Sequence, residues 1–168
     1  PMTGQECIPA TISQLTTERD YMITTYRGIH DQVAKGVDLY GMFAEALGRE
    51  GGVNKGKGGS PHISDPSSGA MVTTANGLAI SAKERGEDRV TIVNFGDGAT
   101  SIGAVHEAMN LAGAWQLPVI FMCQNNQWGE YTEIPTYTAS PNFYGRAEAL
   151  GFKGVKLDGN DPAAFYKG

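Results

Sequence analysis

Two short polar stretches each follow an apolar run, and both contain residue types that could bind a cation. Gly96-Asp97-Gly98 follows "VTIVNF", and Asn125-Asn126 follows "VIFMCQ". Carboxylate and amide oxygens are hard donors that suit Mg²⁺ or Ca²⁺ rather than zinc, and no His or Cys adjoins either stretch. Taken alone, Gly-Asp-Gly is usually a turn with a solvated aspartate, and Asn-Asn is usually part of a loop.

The elements between these stretches are predicted to bring them together. The apolar runs predict strands over residues 90–95 and 119–123, and the segment between them predicts a helix over 100–115. A right-handed crossover makes such strands parallel, so both carboxyl ends reach the same edge of the sheet. Neighbouring strands lie roughly 4.8 Å apart. If the two strands are neighbours, or one strand removed, we expect Asp97 and Asn126, 29 positions apart, to emerge within several ångströms of each other, where open α/β sheets bind ligands.

The same edge is suited to an anion. A helix that begins near Ala99 would direct its free N–H groups there. Gly96 and Gly98 would let the backbone turn tightly and leave room for a phosphate. Mg²⁺ usually takes few protein ligands and completes its octahedron with phosphate oxygens and water. The pattern predicts a metal-bridged diphosphate.

The rest of the chain continues the alternation of strands and helices. We predict strands over 20–26 and 152–157, helices over 38–50, 70–86 and 142–150, and a glycine-rich loop over 51–69. The predicted fold class is α/β, a parallel sheet with helices on both faces. Residues 1–168 are interpreted as a single domain that is incomplete at both ends, because the first residues do not look like a natural start and the last residues fall within an apparent element.

Composition excludes several classes of protein. Of the 168 residues, 40% are hydrophobic and 18% charged, which is typical of a globular domain. The net charge of −5 gives no basic footprint for nucleic acid. No apolar run approaches the roughly 18 residues that span a bilayer. Cys7 and Cys123 lack a metal-ligand spacing, and we interpret them as reduced intracellular thiols.

The stretch from Gly96 to Asn126 resembles the motif of thiamine diphosphate enzymes, which is Gly-Asp-Gly, a gap of just under thirty residues, and Asn-Asn. Nearly the whole chain is also similar to the alpha subunit of the dehydrogenase component of 2-oxo acid dehydrogenase complexes of the pyruvate, branched-chain and acetoin types. The supporting stretches are "GQE" (4–6), "TTYRG" (24–28), "KGKGGSPH" (55–62) and "HEAMNLA" (106–112). The resemblance implies the thiamine diphosphate-binding fold.

The resemblance also implies ligands for thiamine diphosphate and Mg²⁺. Asp97 would contribute its carboxylate to the metal, Asn126 its amide oxygen and Trp128 its main-chain carbonyl. Gly98 and Ala99 would donate backbone N–H groups to the diphosphate.

The family's remaining cofactor contacts map onto two other stretches. Tyr26 and Arg27 match a pair that lies near the cofactor, and a guanidinium suits a diphosphate oxygen; a surface salt bridge is the alternative for Arg27. Ser68 falls where main-chain groups hold the aminopyrimidine ring.

The histidines do not yield a catalytic assignment. His30 is displaced by one place from the family's commonest pattern, and it could enter the site or lie on a helix surface. His62 matches the family better. His106 and its neighbour Glu107 have packing or interface roles as the simpler explanation. Catalytic residues are therefore left unassigned, on missing segments or on a partner chain.

The resemblance implies an enzyme that is active only with a beta subunit, which carries the glutamate facing the aminopyrimidine. Two alpha and two beta chains would decarboxylate a small 2-oxo acid, or act on acetoin, and deliver an acyl group to a lipoyl-bearing acyltransferase. The compartment would be the bacterial cytoplasm or the mitochondrial matrix. Alternatives are the amino-terminal half of a split transketolase-like enzyme and a degenerate non-catalytic paralogue. A nucleotide-binding module is disfavoured, because neither G-x-G-x-x-G nor a Walker A lysine is present.

Overall fold

Strands and helices alternate through most of the chain. The computed structural model describes residues 3–57 and 69–168. In chain order the elements are α1 (Cys7–Leu15), β1 (Tyr21–Ile23), α2 (Ile29–Ala34), α3 (Leu39–Ala46), α4 (Gly69–Glu84), β2 (Thr91–Gly96), a 3-10 helix (Asp97–Ser101), α5 (Gly103–Trp115), β3 (Val119–Gln124), β4 (Trp128–Gly129), β5 (Thr132–Glu133), α6 (Ile134–Tyr137), α7 (Phe143–Ala149) and α8 (Pro162–Lys167).

The main sheet has three parallel strands in the order β1-β2-β3, with β2 at its centre. The first five residues of β2 are buried, as expected for a parallel strand covered on both faces. Gly96 pairs in register with Gln124, so β2 and β3 end side by side. This confirms the prediction that the carboxyl ends of the two motif strands share one edge, and the pairing shows that the strands are direct neighbours.

One face of the sheet packs against α4 and α5. Small side chains line the contact between these helices: Ala79 and Ala112 are fully buried together. Asn76 reaches across it and donates a hydrogen bond from Nδ2 to the Ala108 carbonyl at 2.7 Å. The resulting core joins the sheet to both helices through Ile23, Met71, Val72, Ala75, Val93, Phe95, Val105 and Ala108.

The opposite face packs against α1 and α8. Ile8 and Ile12 of α1 and Phe165 of α8 cover Met22 and Ile92, the residues whose side chains alternate away from the first core. Helices therefore cover both faces, as the sequence predicts.

The predicted strand over residues 152–157 is wrong. Residues 153–158 have no regular secondary structure, although their apolar side chains are used. Phe152 packs edge-on against Phe121, with ring centroids 5.2 Å apart, on the α5 side of the sheet. Leu157 packs into the core on the α1 side. The two apolar residues are therefore buried by packing on opposite faces of the sheet and not by pairing in it.

The helix predicted over 100–115 also differs. The chain first forms the 3-10 helix, and Ile102 is extended (φ −83°, ψ 129°) before α5 begins at Gly103. The Thr100 hydroxyl donates to the Asp97 carbonyl at 2.6 Å, which stabilises the tighter turn. The expectation that an α-helix starts near Ala99 is therefore wrong by about one turn.

Candidate active site at the carboxyl ends of the strands

A cleft of about 610 Å³ opens at the carboxyl ends of β2 and β3. Most residues that the sequence singled out line it together, although they come from three separate parts of the chain, which follow β1, β2 and β3: Tyr26, Arg27, Gly98, Ala99, Asn126 and Trp128. Asp97 lies behind this lining and is completely buried. Ser68 lies outside the described residues.

The Asp97 carboxylate is only partly satisfied. Its Oδ2 accepts a hydrogen bond from the Tyr137 hydroxyl. Its Oδ1 is buried and has no hydrogen-bond partner among residues 3–57 and 69–168. Leaving a buried charged oxygen unpaired is costly, so such an atom calls for a cation or another donor.

Gly98 is required for a reason that the sequence did not suggest. A Cβ on Gly98 would lie 2.9 Å from the Cα of Gly129, so these two backbones are in direct contact. A Cβ on Gly96, in contrast, would meet nothing within 4 Å. Space for a bound group therefore lies beside Gly96, whereas Gly98 lets the β4–β5 hairpin approach the Asp97 loop.

The loop after β3 is shaped by its own asparagines. Asn125 Oδ1 accepts from the Gln127 N–H at 2.9 Å, and Asn126 Oδ1 accepts from the Trp128 N–H at 2.9 Å. Gln127 adopts a left-handed φ of +70°. Each amide oxygen keeps a second lone pair, so Asn126 can still bind a cation.

Arg27 has no carboxylate partner within the described ranges, so the salt bridge considered for it is not observed there. Its Nη2 donates to the Tyr26 hydroxyl at 3.0 Å, and its guanidinium stacks on the same ring. One wall of the cleft thus carries a guanidinium whose charge is not neutralised by any carboxylate of residues 3–57 and 69–168.

The histidines fall in different surroundings. His30 is on α2 with its side chain 11% exposed, and its Nε2 lies 3.9 Å from Asp31 Oδ1, so it is not a helix-surface histidine. His106 Nε2 lies 2.9 Å from the Thr100 carbonyl oxygen, which ties α5 to the 3-10 helix. Glu107 is exposed beside it. None of these lines the cleft, and His62 is outside the described residues.

A layer of buried polar side chains lies behind the cleft, and sequence reasoning missed it. Asp31 on α2 is 1% exposed and its Oδ2 accepts from the Thr24 hydroxyl. Burial raises the pKa of the Asp31 carboxyl. Thr24, the charge of His30 and the amides of Asn94 and Gln124 oppose that rise. The signal available in the sequence was one polar residue in each of two apolar strands, Asn94 in β2 and Gln124 in β3.

Tyr137 was also missed. It lies forty positions from Asp97, at the end of α6, and it lines the cleft. Burial raises the pKa of the Tyr137 phenol, and the hydrogen bond to Asp97 and the charge of that carboxylate act in the same direction. The phenol therefore stays protonated and remains a donor.

Cys123 on β3 and Cys7 on α1 are both free cysteines. Burial, with the nearby Asp97 charge, raises the pKa of Cys123 to about 12, although Arg146 opposes the rise. Within the described ranges, no three His, Cys, Asp or Glu side chains cluster as a metal site. No helix in that part of the chain is long and apolar enough to cross a membrane.

Comparison with known proteins identifies the family of this chain. The whole sequence, residues 1–168, matches the family model for the dehydrogenase E1 component. It is 38% identical over 173 residues to the alpha subunit of acetoin:2,6-dichlorophenolindophenol oxidoreductase from Bacillus subtilis, covering 98% of this chain and 52% of that protein. It is 40% identical over 175 residues to the subunit of the same name from Cupriavidus necator, again covering 98% and 52%.

A third relative is the pyruvate dehydrogenase E1 component subunit alpha of Rhizobium meliloti, 36% identical over 170 residues, covering 96% of this chain and 49% of that protein. The chain spans about half the length of these curated relatives. Because the match extends over every residue and includes the cleft, the chain belongs to the dehydrogenase E1 component family.

Proposed function

We propose that this chain is the alpha subunit of a 2-oxo acid or acetoin dehydrogenase and that its cleft binds thiamine diphosphate through Mg²⁺. The observation that carries the proposal is the buried Oδ1 of Asp97, which has no hydrogen-bond partner among the described residues and lies directly behind a cleft lined by the rest of the motif. A divalent cation would neutralise that oxygen, and its remaining positions would suit phosphate and water.

Three oxygen donors would hold the metal: the Asp97 carboxylate, the Asn126 amide oxygen and the Trp128 main-chain carbonyl. The donor set fits Mg²⁺ because it contains one carboxylate, neutral oxygens and no nitrogen or sulfur. The backbone N–H groups of Gly98 and Ala99 would donate to the diphosphate, and the open space beside Gly96 is available for it.

Arg27 would contact a diphosphate oxygen, since its guanidinium faces the cleft without a competing carboxylate in the described ranges. Tyr26, stacked beneath that guanidinium, would orient it. Ser68 would place main-chain groups near the aminopyrimidine ring.

When bound, thiamine diphosphate supplies a nucleophilic carbon and an electron sink for the pair released by decarboxylation. This chain's residues would anchor the diphosphate end. They do not include a group assigned to proton transfer at the aminopyrimidine, so we assign that role to a glutamate of a beta subunit. The active assembly would contain two alpha and two beta chains.

The relatives support the class of reaction more than the substrate. Two are named for acetoin and one for pyruvate, and each name specifies an alpha subunit. A comparable relative is the mitochondrial pyruvate dehydrogenase E1 component subunit alpha-1 of Oryza sativa, 36% identical over 170 residues. We propose transfer of the acyl group to a lipoyl-bearing acyltransferase, in the bacterial cytoplasm or the mitochondrial matrix.

Thermal melting of the full-length chain, with and without its partner subunit, tests cofactor binding. Thiamine diphosphate with Mg²⁺ at about 100 times Kd should stabilise the native protein by about 2.7 kcal/mol. Asp97→Ala should remove the rise in melting temperature. The absence of any rise in the wild type, with or without the partner, would refute the proposal.

Substrate choice requires a second measurement on the assembled enzyme. Pyruvate, branched 2-oxo acids and acetoin should be compared by kcat/KM with an artificial electron acceptor. Turnover should require the beta subunit, and activity on sugar phosphates instead would favour the transketolase alternative.

A further inference from the structure

Tyr137 links the two parts of the chain that carry the proposed metal ligands. Its hydroxyl donates to Asp97 Oδ2. Its ring contacts the β4–β5 hairpin: a Cβ on Gly129 would lie 3.3 Å from the Tyr137 Cε1 atom. Gly129 follows Trp128, whose carbonyl is a proposed ligand.

The backbone of Tyr137 is fixed as well. Its carbonyl accepts a hydrogen bond of 3.5 Å from the Ser101 hydroxyl, at the end of the 3-10 helix that begins with Asp97. The neighbouring Thr138 N–H bonds to the Ile134 carbonyl at 3.0 Å and closes α6. Tyr137 is therefore held both at its hydroxyl and at its backbone by elements that adjoin the cleft.

The hydrogen bond makes the two carboxylate oxygens of Asp97 inequivalent. Oδ2 is occupied by a neutral donor that does not remove the negative charge, whereas Oδ1 has no hydrogen-bond partner among the described residues. A fixed donor on one oxygen restricts rotation about the Cβ–Cγ bond, so the other oxygen is held in one direction. Hydrogen bonds of this kind to a metal-binding carboxylate orient it and tune its affinity.

We propose that Tyr137 is a positioning residue that holds the Asp97 carboxylate with Oδ1 available to a divalent cation. This inference rests on the proposed function, because it requires that Asp97 bind the metal. Tyr137 itself would not contact the cation. It would set the direction of the ligand and couple the position of the hairpin to that of the Asp97 loop.

The test is Mn²⁺ binding to the full-length chain assembled with its partner subunit. Mn²⁺ is titrated at a fixed thiamine diphosphate concentration, and free Mn²⁺ is followed by electron paramagnetic resonance. Tyr137→Phe should raise the Mn²⁺ dissociation constant about tenfold, the lower end of the usual loss for such partners. Tyr131→Phe is the matched control, because Tyr131 lies six positions away and is 90% exposed; its dissociation constant should stay at the wild-type value.

The metal-free melting temperature separates positioning from general stability. We expect Tyr137→Phe to melt within about 2 °C of the wild type, a difference below about 1 kcal/mol for a domain of this size. An unchanged or tighter Mn²⁺ affinity would overturn the inference, and so would a weaker affinity accompanied by a large fall in melting temperature. Asp97→Ala provides the independent check: if it leaves Mn²⁺ binding intact, the proposed metal site itself is wrong.

Discussion

Gly98 and Gly129 meet backbone to backbone, and a single methyl group on Gly98 would lie 2.9 Å from the Gly129 Cα. Gly98→Ala should therefore push the β4–β5 hairpin away from the Asp97 loop. Because the hairpin carries the Trp128 carbonyl, we expect the dissociation constant for Mg²⁺ with thiamine diphosphate to rise on the order of tenfold, measured by calorimetric titration.

Gly77→Ala is the matched control for that substitution. Gly77 is exposed on α4, and an added Cβ would meet nothing within 4 Å. The alanine should leave cofactor affinity unchanged and raise stability by about 0.5–1 kcal/mol. Equal affinities for Gly98→Ala and wild type would show that the hairpin does not depend on this contact.

Gly28 is packed against Thr24 in the same manner. A Cβ on Gly28 would overlap the Thr24 hydroxyl oxygen and would lie 2.9 Å from Asp31 Oδ2. Gly28→Ala should break the Thr24–Asp31 hydrogen bond and lower the free energy of unfolding by about 2–3 kcal/mol. Urea denaturation measures this change, and a midpoint equal to that of the wild type would contradict the packing described for this turn.

Asp31 should make stability depend on pH. Because burial raises its pKa in the folded state, the folded protein binds more protons than the unfolded chain between the ordinary carboxyl pKa of 3.8 and the raised value. Its contribution to stability therefore falls as pH rises through that window, and it stays low above it. Asn at this position cannot ionise and can still accept from Thr24.

Asp31→Asn should accordingly gain stability relative to the wild type as pH rises. Denaturant unfolding at about pH 4.5 and pH 7.5 gives the difference at each pH. If the stability advantage of Asp31→Asn over the wild type instead shrank with rising pH, the folded state would favour the ionised carboxylate. The pKa of Asp31 would then be lowered by folding and not raised.

Cys123 should resist alkylation in the native protein. With a pKa of about 12 instead of 9.0, its thiolate fraction at pH 8 falls about 1,000-fold relative to the unfolded chain. Iodoacetamide labelling followed by peptide mass spectrometry, in buffer and in urea, measures the ratio. Comparable labelling rates of Cys123 in buffer and in urea would mean that β3 is accessible to iodoacetamide in the native protein.

The motif and its elements could be predicted because their signals are local. Asp97 and Asn126 each follow an apolar strand, and one crossover places both strand ends at the same edge. The Tyr137–Asp97 contact could not be predicted, because it joins residues forty positions apart that share no element or period. Asp31, on a short helix after a glycine, has nothing in its immediate sequence that distinguishes it from a surface carboxylate.

The wrong strand prediction has a related cause. A short segment that contains apolar residues and is bounded by polar ones can indicate a strand, but Phe152 and Leu157 pack on opposite faces of a sheet made by other strands. Their burial comes from packing against the sheet and not from pairing in it.

The 29-position separation of Asp97 and Asn126 reflects the equal lengths of the two elements between them, α5 and β3. The thirteen residues of α5 rise about 20 Å as a helix, and the six residues of β3 extend about 20 Å as a strand. The chain therefore descends along α5 as far as it climbs along β3, and it returns level with the point where it left β2. One extra residue in α5 would rotate the chain that follows by about 100°, and it would lengthen the helix without lengthening β3. The number of residues between Asp97 and Asn126 is therefore set by the length of the strands in the sheet. Both residues lie at the same edge because α5 and β3 have the same length in spite of their different residue counts.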